Sequence, residues 1–302
     1  MIYKLYIIFF IFFLLHCQGN SFINNKEHIK YWVKSDNIFG TTYTIVLELN
    51  NNQLSEISSI ESHLLSIFDK INHSFSLYNK NSKIVQLNQN HSVIFDKLEI
   101  KLFELSKEIC LKTKGYFFPF TKGTLINLKK RIKINIKNYS SICNLFWIEK
   151  KNQNDYLVQK KYSFIEFDFN AIAKGYTVDL IKEYFIENQW NAFLIEIGGE
   201  ICVGNSPKKN SHGWLIALEN PFSEPTIKSF SKTFYLSNQC LASSGNYLQE
   251  HILNPFGTIK NKNKRVTVFG PSCAIADAYA TYLSIYEDGE LYSNDYYIQY
   301  DE

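Results

Sequence analysis

Apolar and polar positions alternate with period two through Tyr31-Trp32-Val33 and from Phe39 to Leu49, which predicts strands. Gly40 interrupts that run, as a bulge or a close approach of ligand to backbone. After a turn at Asn50 to Gln53 the period changes. Ile57, Ile60, Leu64, Leu65, Ile67, Phe68 and Ile71 keep helical spacing. A second helix is expected from about Lys97 to Thr113, stopped by Lys114-Gly115. The aromatic stretch Tyr116 to Leu125 reads as irregular, and the Lys/Asn-rich section from Lys129 to Lys161 as two or three strands. Phe164 to Phe169 alternates like a strand. A helix then runs to about Asn188, with Val178, Ile181, Tyr184 and Phe185 inward. Phe193 to Ile197 is apolar enough to be a buried strand. Further strands are expected at Ile201–Gly204, Trp214–Glu219 and Thr233–Leu236, and a short one at His251-Ile252-Leu253 before a turn. Ser243-Ser244-Gly245, taken alone, reads as an ordinary polar turn.

The most informative stretch comes near the end. Val266 to Phe269 reads as a buried strand, Gly270-Pro271 breaks it, and Ser272 caps the helix that follows. Asp277 and Thr281 lie four residues apart and share one helix face, among Ala274, Ala276, Ala278 and Ala280. A carboxylate and a hydroxyl among small side chains suit a hard cation such as Mg²⁺. Strands come in meanders and helices in separate blocks, without regular βαβ alternation. The fold class expected is therefore α+β with mostly antiparallel sheet and packed helices.

Composition narrows the choices. The chain has 302 residues, 45% apolar, enough for a substantial core. A net charge of +3 without a dense basic patch argues against a nucleic-acid partner. Lys4 precedes an apolar run from Leu5 to Leu15, too short to span a membrane but right for a secretory signal. Residues 1–17 are expected to be that signal and 18–302 the functional domain. Leu14-Leu15-His16-Cys17 resembles a bacterial lipobox, with His16 where a small residue is usual. The other cysteines, Cys110, Cys143, Cys202, Cys240 and Cys273, are odd in number and form no CxxC pair. They read as small buried apolar residues, not as a zinc site or disulfide framework.

Single motifs carry little. Gly198-Gly199 reads equally as a tight turn, Lys174-Gly175 lacks the long Gly-rich run of a P-loop, and a lone His251 is commonly a packing residue. Together they repeat one arrangement: a strand, a turn of Gly, Ser or Ala, then polar groups at a helix start. Helix starts and exposed amides bind phosphate oxygens. With Asp277 and Thr281 the set points to a diphosphate held with Mg²⁺.

The order of these segments resembles the ApbE family of FAD:protein FMN transferases. The matching stretches are Phe39-Gly40-Thr41, Phe75-Ser76-Leu77-Tyr78 with Ser82 and Asn88, Thr113-Lys114-Gly115, and Asp168 through Asp179. Ile197-Gly198-Gly199-Glu200, Trp214, Ala242 through Tyr247, His251 through Pro255, and Thr267 through Thr281 follow. The resemblance implies that FAD is the substrate, that Mg²⁺ is required, and that FMN passes to a Thr or Ser hydroxyl of a partner protein with release of AMP. By the same resemblance Asp277, Thr281 and the Ala171 carbonyl hold the cation. Phe39, Ser76, Tyr78, Lys174, Gly198, Gly199, Ser244, Gly245 and His251 border the nucleotide. Asp277 and His251 are the catalytic pair, with His251 taking the acceptor proton. Typical partners are extracytoplasmic parts of NADH:quinone and Rnf type redox pumps. The expected location is the periplasmic face of the inner membrane, with a lipid anchor at Cys17.

Three departures stand out. Phe118 replaces an Asp of the family's Gly-Ala-Phe-Asp-Pro, Phe169-Asn170 replaces Gly-Gly, and the tail after Leu283 is short where a helix and strand usually follow. Two rival readings stand beside the transferase: an FAD diphosphatase giving FMN and AMP, to which members of this fold can shift when the metal pocket changes, and a lipoprotein that holds FAD without turnover, which Phe118 suggests.

Overall fold

The structure is a computed structural model that describes residues 21–24, 29–132, 136–208, 212–220, 229–245, 252, 254–257 and 265–301. The first strands are β1 (Ser21–Asn24), β2 (Ile29–Ile38) and β3 (Thr41–Asn50). A short 3-10 turn leads into α1 (Ile57–Phe75), then α2 (Lys83–Gln89), β4 (Ser92–Asp96), α3 (Lys97–Lys112), α4 (Lys122–Arg131) and α5 (Tyr139–Cys143). The middle of the chain gives β5 (Phe146–Lys150), β6 (Asp155–Lys160), α6 (Ala173–Glu187), β7 (Phe193–Ile197) and β8 (Glu200–Val203). The last elements are β9 (Trp214–Glu219), β10 (Phe230–Leu236), β11 (Gln239–Ser244), β12 (Arg265–Gly270), α7 (Cys273–Ile285) and β13 (Tyr297–Asp301).

An eight-stranded sheet in the order β1-β2-β3-β7-β8-β11-β12-β13 is the backbone of the fold, and every pairing in it is antiparallel. The expected α+β class is what the structure shows. One face of the sheet joins α1, α3, α6 and α7 in the larger core. Leu194, Ile201, Leu241 and Phe269 on the other face pack with Trp214, Ile216 and Leu218 of the separate β9–β10 ribbon. Both faces of β7 are thus covered and all five of its residues are buried, which explains its uninterrupted apolar run. A third sheet, β4-β6-β5, closes over α3. There Phe103 meets Phe95, Phe146, Phe167 and Phe169 edge to face at centroid distances of 4.8–5.7 Å.

Several local expectations change. Phe39-Gly40 is a two-residue hairpin tip between β2 and β3, with φ of 52° and 73°. Both residues are left-handed, as a type I′ turn requires, so Gly40 is no bulge. Phe164–Phe169 keeps its alternation, with Ile165, Phe167 and Phe169 buried, but joins no sheet. Its single bridge is Phe167 to Phe120. Side chains replace the ladder: Asn88 accepts from the Phe167 amide at 2.7 Å and donates to its carbonyl at 3.0 Å, and Thr124 accepts from the Glu166 amide at 2.8 Å. The aromatic stretch is irregular only up to Thr121. That residue caps α4 by accepting from Thr124 at 3.2 Å, and α4 and α5 occupy ground expected to be loop or strand. The tail adds β13 to the edge of the large sheet, so a strand does follow α7. β11 continues through Ser244, so Ser243 and Ser244 are strand and not the polar turn expected.

The cysteine reading is also corrected. Cys110 of α3 is bonded to Cys143 of α5, and Cys202 of β8 to its cross-strand partner Cys240 of β11, while Cys273 is free and buried. Thirty-three and 38 residues separate the partners. Contacts that long are invisible to local spacing, and the odd count came from the one buried thiol.

Candidate functional site

Two helices and one end of the large sheet build the site. α6 begins in a tight turn, where the Ile172 and Ala173 amides both donate to the Phe169 carbonyl, at 3.0 and 2.8 Å. Ala171 lies in that turn and Lys174 in the first turn of the helix. α7 begins at Ser272, whose hydroxyl accepts from the Ile275 amide at 3.3 Å, as its sequence predicts.

The helices approach at Gly175. A Cβ there would sit 2.5 Å from the Cys273 carbonyl oxygen and 2.9 Å from the Ala274 Cα. Backbone cannot yield as a flexible side chain can, so only glycine allows this crossing. The same approach lets the Gly175 amide donate to Asp277 Oδ2 at 3.3 Å.

Asp179, one turn along α6, fastens the start of α7. Its carboxylate accepts from the Ser272 hydroxyl at 2.6 Å and from the Cys273 and Ala274 amides, both at 2.9 Å. These are donors that a helix start leaves unsatisfied. Lys182 lies 3.5 Å from Asp179 and donates to the Pro271 carbonyl at 2.5 Å. Cys202 Sγ is 4.0 Å from Asp179 Oδ1, but it is bonded to Cys240, so this grouping of one carboxylate and two cysteines is a strut and not a metal centre.

At the sheet end, Gly198 and Gly199 turn β7 into β8 with φ of 61° and 106°. The Gly198 amide donates to the Thr42 carbonyl at 3.0 Å, and a Cβ on Gly198 would strike the Thr41 side chain at 2.7 Å. The pair is structurally a tight turn, and it delivers Glu200 to the site. Glu200 is buried and holds Lys174 Nζ at 2.5 Å through Oε1. Ser244, at the end of β11, shares a hydrogen bond of 3.4 Å with Thr281 of α7, and Ser243 shares one of 2.8 Å with Thr267. Gly245 follows Ser244 directly.

The electrostatics follow from burial. Burial lifts the Asp277 carboxyl above its ordinary value, against the pull of Lys174 and the Gly175 amide. Burial also pushes Glu200 up to about 8, with Lys174 opposing and Asp277 adding. Burial works against the charge on Lys174, but Glu200 and Asp277 outweigh it and hold the ammonium above its usual range. One ammonium thus faces two buried carboxylates.

The structure therefore brings together Lys174, Asp277, Thr281 and Ser244, with Gly198 and Gly199 setting Glu200. Phe39 stands at the hairpin tip beside that turn and packs edge-on against Phe68 at 6.1 Å. Ser76 caps the end of α1 and accepts from the Tyr78 and Asn79 amides, both at 3.3 Å, while the Tyr78 ring is 89% exposed. Those hydrogen bonds are local and do not tie Ser76 or Tyr78 to the Lys174 cluster. His251 lies outside the described residues, as does Leu253 of the expected short strand. Phe118, in place of the family's Asp, packs against Phe120 at 5.1 Å. Glu200 and Asp179 carry much of the geometry and were not singled out from sequence. A carboxylate directly after two glycines, and one five residues beyond a helix-start lysine, were the available signals.

A hard cation fits these residues. Asp277 offers a carboxylate and Thr281 a hydroxyl, the Ala-rich helix leaves room, and the buried cluster is one positive charge short. Fold and site together define an α+β protein with a buried charged cluster where two helix starts meet a sheet end. The chain matches the ApbE family over residues 39–293, and it belongs to that family. It is 28% identical over 269 residues to an FAD:protein FMN transferase of Buchnera aphidicola, covering 80% of this chain and 76% of that protein. It is 24% identical to one of Vibrio cholerae, covering 82% and 78%. Among solved structures it resembles the flavin transferase ApbE from Vibrio cholerae, with a TM-score of 0.67, 21% identity and coverage of 90% of this chain and 97% of that one. The apo flavinyl transferase ApbE of Pseudomonas stutzeri gives a TM-score of 0.68 at 19% identity, covering 87% and 86%.

Proposed function

We propose that this protein is an FAD:protein FMN transferase that uses a divalent cation, with Mg²⁺ the natural choice for hard oxygen donors. The observation that carries the reading is the joining of Lys174, Glu200 and Asp277 in one buried cluster beside Thr281 and Ser244. The relatives are named for this activity. In the reaction a Thr or Ser hydroxyl of the acceptor protein forms a new bond to the FMN phosphorus of FAD. The bond from that phosphorus to the bridging oxygen breaks, and the oxygen leaves with AMP. The acceptor proton is assigned to His251, on family resemblance alone.

Asp277, Thr281 and the Ala171 carbonyl would hold the cation, which supplies Lewis-acid stabilisation of charge on the diphosphate. Lys174 offsets phosphate charge from a fixed position, because Glu200 restrains its ammonium. Phe39, Gly198, Gly199 and Gly245 border the nucleotide at the sheet end. Ser76 and Tyr78 complete that border from the α1–α2 connection.

Within residues 1–17 an export signal precedes Cys17, which becomes the lipidated N-terminus at the periplasmic face of the inner membrane. Two disulfides among the described residues support an oxidising compartment. Extracytoplasmic subunits of NADH:quinone and Rnf type redox pumps are the acceptor class.

AMP release separates this reading from its rivals. Incubated with FAD and Mg²⁺, the protein should release AMP only when an acceptor domain bearing its hydroxyl is present, and not when that residue is Val. Equal AMP release without acceptor would make it a diphosphatase. Absence of AMP with a competent acceptor would leave an FAD-binding protein.

A further inference from the structure

Glu200 contains an anomaly that the family reading leaves unexplained. It is 2% exposed, and Oε1 pairs with Lys174. Among the described residues Oε2 is fully buried and has no hydrogen-bond partner. A buried carboxylate oxygen without a donor is costly, and proteins rarely keep one without a use. Its neighbourhood adds to the cost. Lys174 is the ammonium facing both Glu200 and Asp277, and Asp277 is itself buried with the Gly175 amide as donor. Two carboxylates against one ammonium leave the cluster one negative charge in excess when both are ionised. The missing partner must therefore bring positive charge and hydrogen-bond donors together. A hydrated divalent cation brings both, since Mg²⁺ keeps several of its waters when bound.

Resting on the cation reading of Asp277, we propose that Glu200 is a positioning residue of the cation site, distinct from Asp277, Thr281 and Ala171. One oxygen fixes Lys174. The other accepts from donors that arrive with the hydrated cation, and the carboxylate supplies the excess negative charge that draws the cation in. The Gly198-Gly199 turn serves this role. It brings the chain round so that the first residue of β8 enters the cluster instead of solvent.

The role predicts opposite changes in two affinities, which a merely structural role does not. In Glu200→Gln the amide keeps the size of the side chain and removes the charge. Mn²⁺, used alone as the probe in calorimetry or by its electron paramagnetic resonance signal, should bind at least about tenfold more weakly. FAD binding in EDTA at pH 9, where Glu200 is ionised, followed by flavin fluorescence, should strengthen about two- to fivefold, because the diphosphate then meets one negative charge fewer. Glu200→Asp retains the charge and should keep Mn²⁺ affinity within about threefold of wild type. Both variants are compared at thermal midpoints matched to the wild type. Mn²⁺ affinity unchanged in Glu200→Gln, or parallel loss of Mn²⁺ and FAD binding, would overturn the role of Glu200 alone. So would a Glu200→Asp protein as weak for Mn²⁺ as the Gln variant. A wild-type protein that binds no Mn²⁺ would overturn the reading of Asp277 and this inference together.

Discussion

Two buried clusters of charged groups sit in this molecule, and one is closed while the other is open. Where α1, α2 and α3 meet, Glu99 is fully buried. Its Oε1 accepts from Ser74 and lies 3.3 Å from Lys70. Its Oε2 accepts from Lys83 at 2.7 Å and from the Asp96 amide at 2.6 Å. Asp96 caps α3, accepts from the Glu99 amide at 3.0 Å and pairs with Lys70. Two carboxylates meet two ammoniums, and the Glu99 oxygens are filled. At the Lys174 site two carboxylates meet one ammonium, and Glu200 Oε2 is left empty-handed. The first arrangement is a finished joint that holds three helices. The second leaves one carboxylate oxygen without a donor, the place the proposal above gives to donors arriving with a hydrated cation. Burial alone does not distinguish these two carboxylates; their pairing does.

Removing each cluster's central acid separates the two. Asp277→Ala should lower FMN transfer by at least about 10³-fold, the scale of a lost charge-stabilising group. Its thermal midpoint should stay within a few degrees of wild type, since an excess charge is relieved; steady-state kinetics with a parallel melt checks both. Glu99→Ala should do the reverse. It strands Lys70 and Lys83 and the Asp96 amide and costs about 3 kcal/mol in denaturant unfolding, while Mn²⁺ affinity holds. If Glu99→Ala lost cation binding at unchanged stability, the division between the clusters would fail.

Gly175→Ala tests the link between helix crossing and site. The added methyl meets α7 backbone at 2.5 Å, so about 1–3 kcal/mol of stability should be lost. Cation affinity should fall with it, because Asp277 depends on the same approach. Normal Mn²⁺ binding by Gly175→Ala would show that the crossing does not set the Asp277 position.

The smallest effect expected is in pH. Burial opposes the charge on Asp96, but its bond to Lys70 prevails and holds the carboxyl below its ordinary value. Its stabilising contribution is present above the unfolded carboxylate range near pH 4 and is lost as pH falls through the lower folded value. Lys70 is shifted the opposite way: burial opposes its charge, while Asp96 and Glu99 hold it above its ordinary value. Its contribution is full below the unfolded lysine range near pH 10 and is lost as pH rises through the folded value. Thermal midpoints should therefore form a plateau between those limits, and Lys70→Met should flatten its edges. Unchanged edges in that variant would place the pH response elsewhere.

What the sequence revealed depended on how far apart the cooperating residues lie. α7 was legible down to its Ser272 cap because cap, period and the Asp277/Thr281 spacing are all local. β7 was legible from its composition, and α1 and α3 from their period. Phe164–Phe169 showed the correct alternation and the wrong element, because Asn88 and Thr124 side chains stand in for a neighbouring strand. α4 was hidden in a Lys- and Asn-rich stretch whose Thr121 cap carried little weight by itself. Both disulfides, the Asp179 clamp and the Lys174–Glu200 pair join residues 26 to 95 positions apart. Family resemblance named Lys174 and Asp277 as site residues, but only the fold showed that Lys174 is shared between Asp277 and Glu200.

The central claim is that this cluster, completed by a divalent cation, passes FMN from FAD to a protein hydroxyl. Its most direct test is the intact mass of an acceptor domain after incubation with FAD and the protein lacking residues 1–17, with Mg²⁺ or with EDTA. The account predicts a gain of one FMN phosphoryl unit with Mg²⁺ and none with EDTA or with Asp277→Ala. The same gain in EDTA, or from the Asp277→Ala protein, would contradict it.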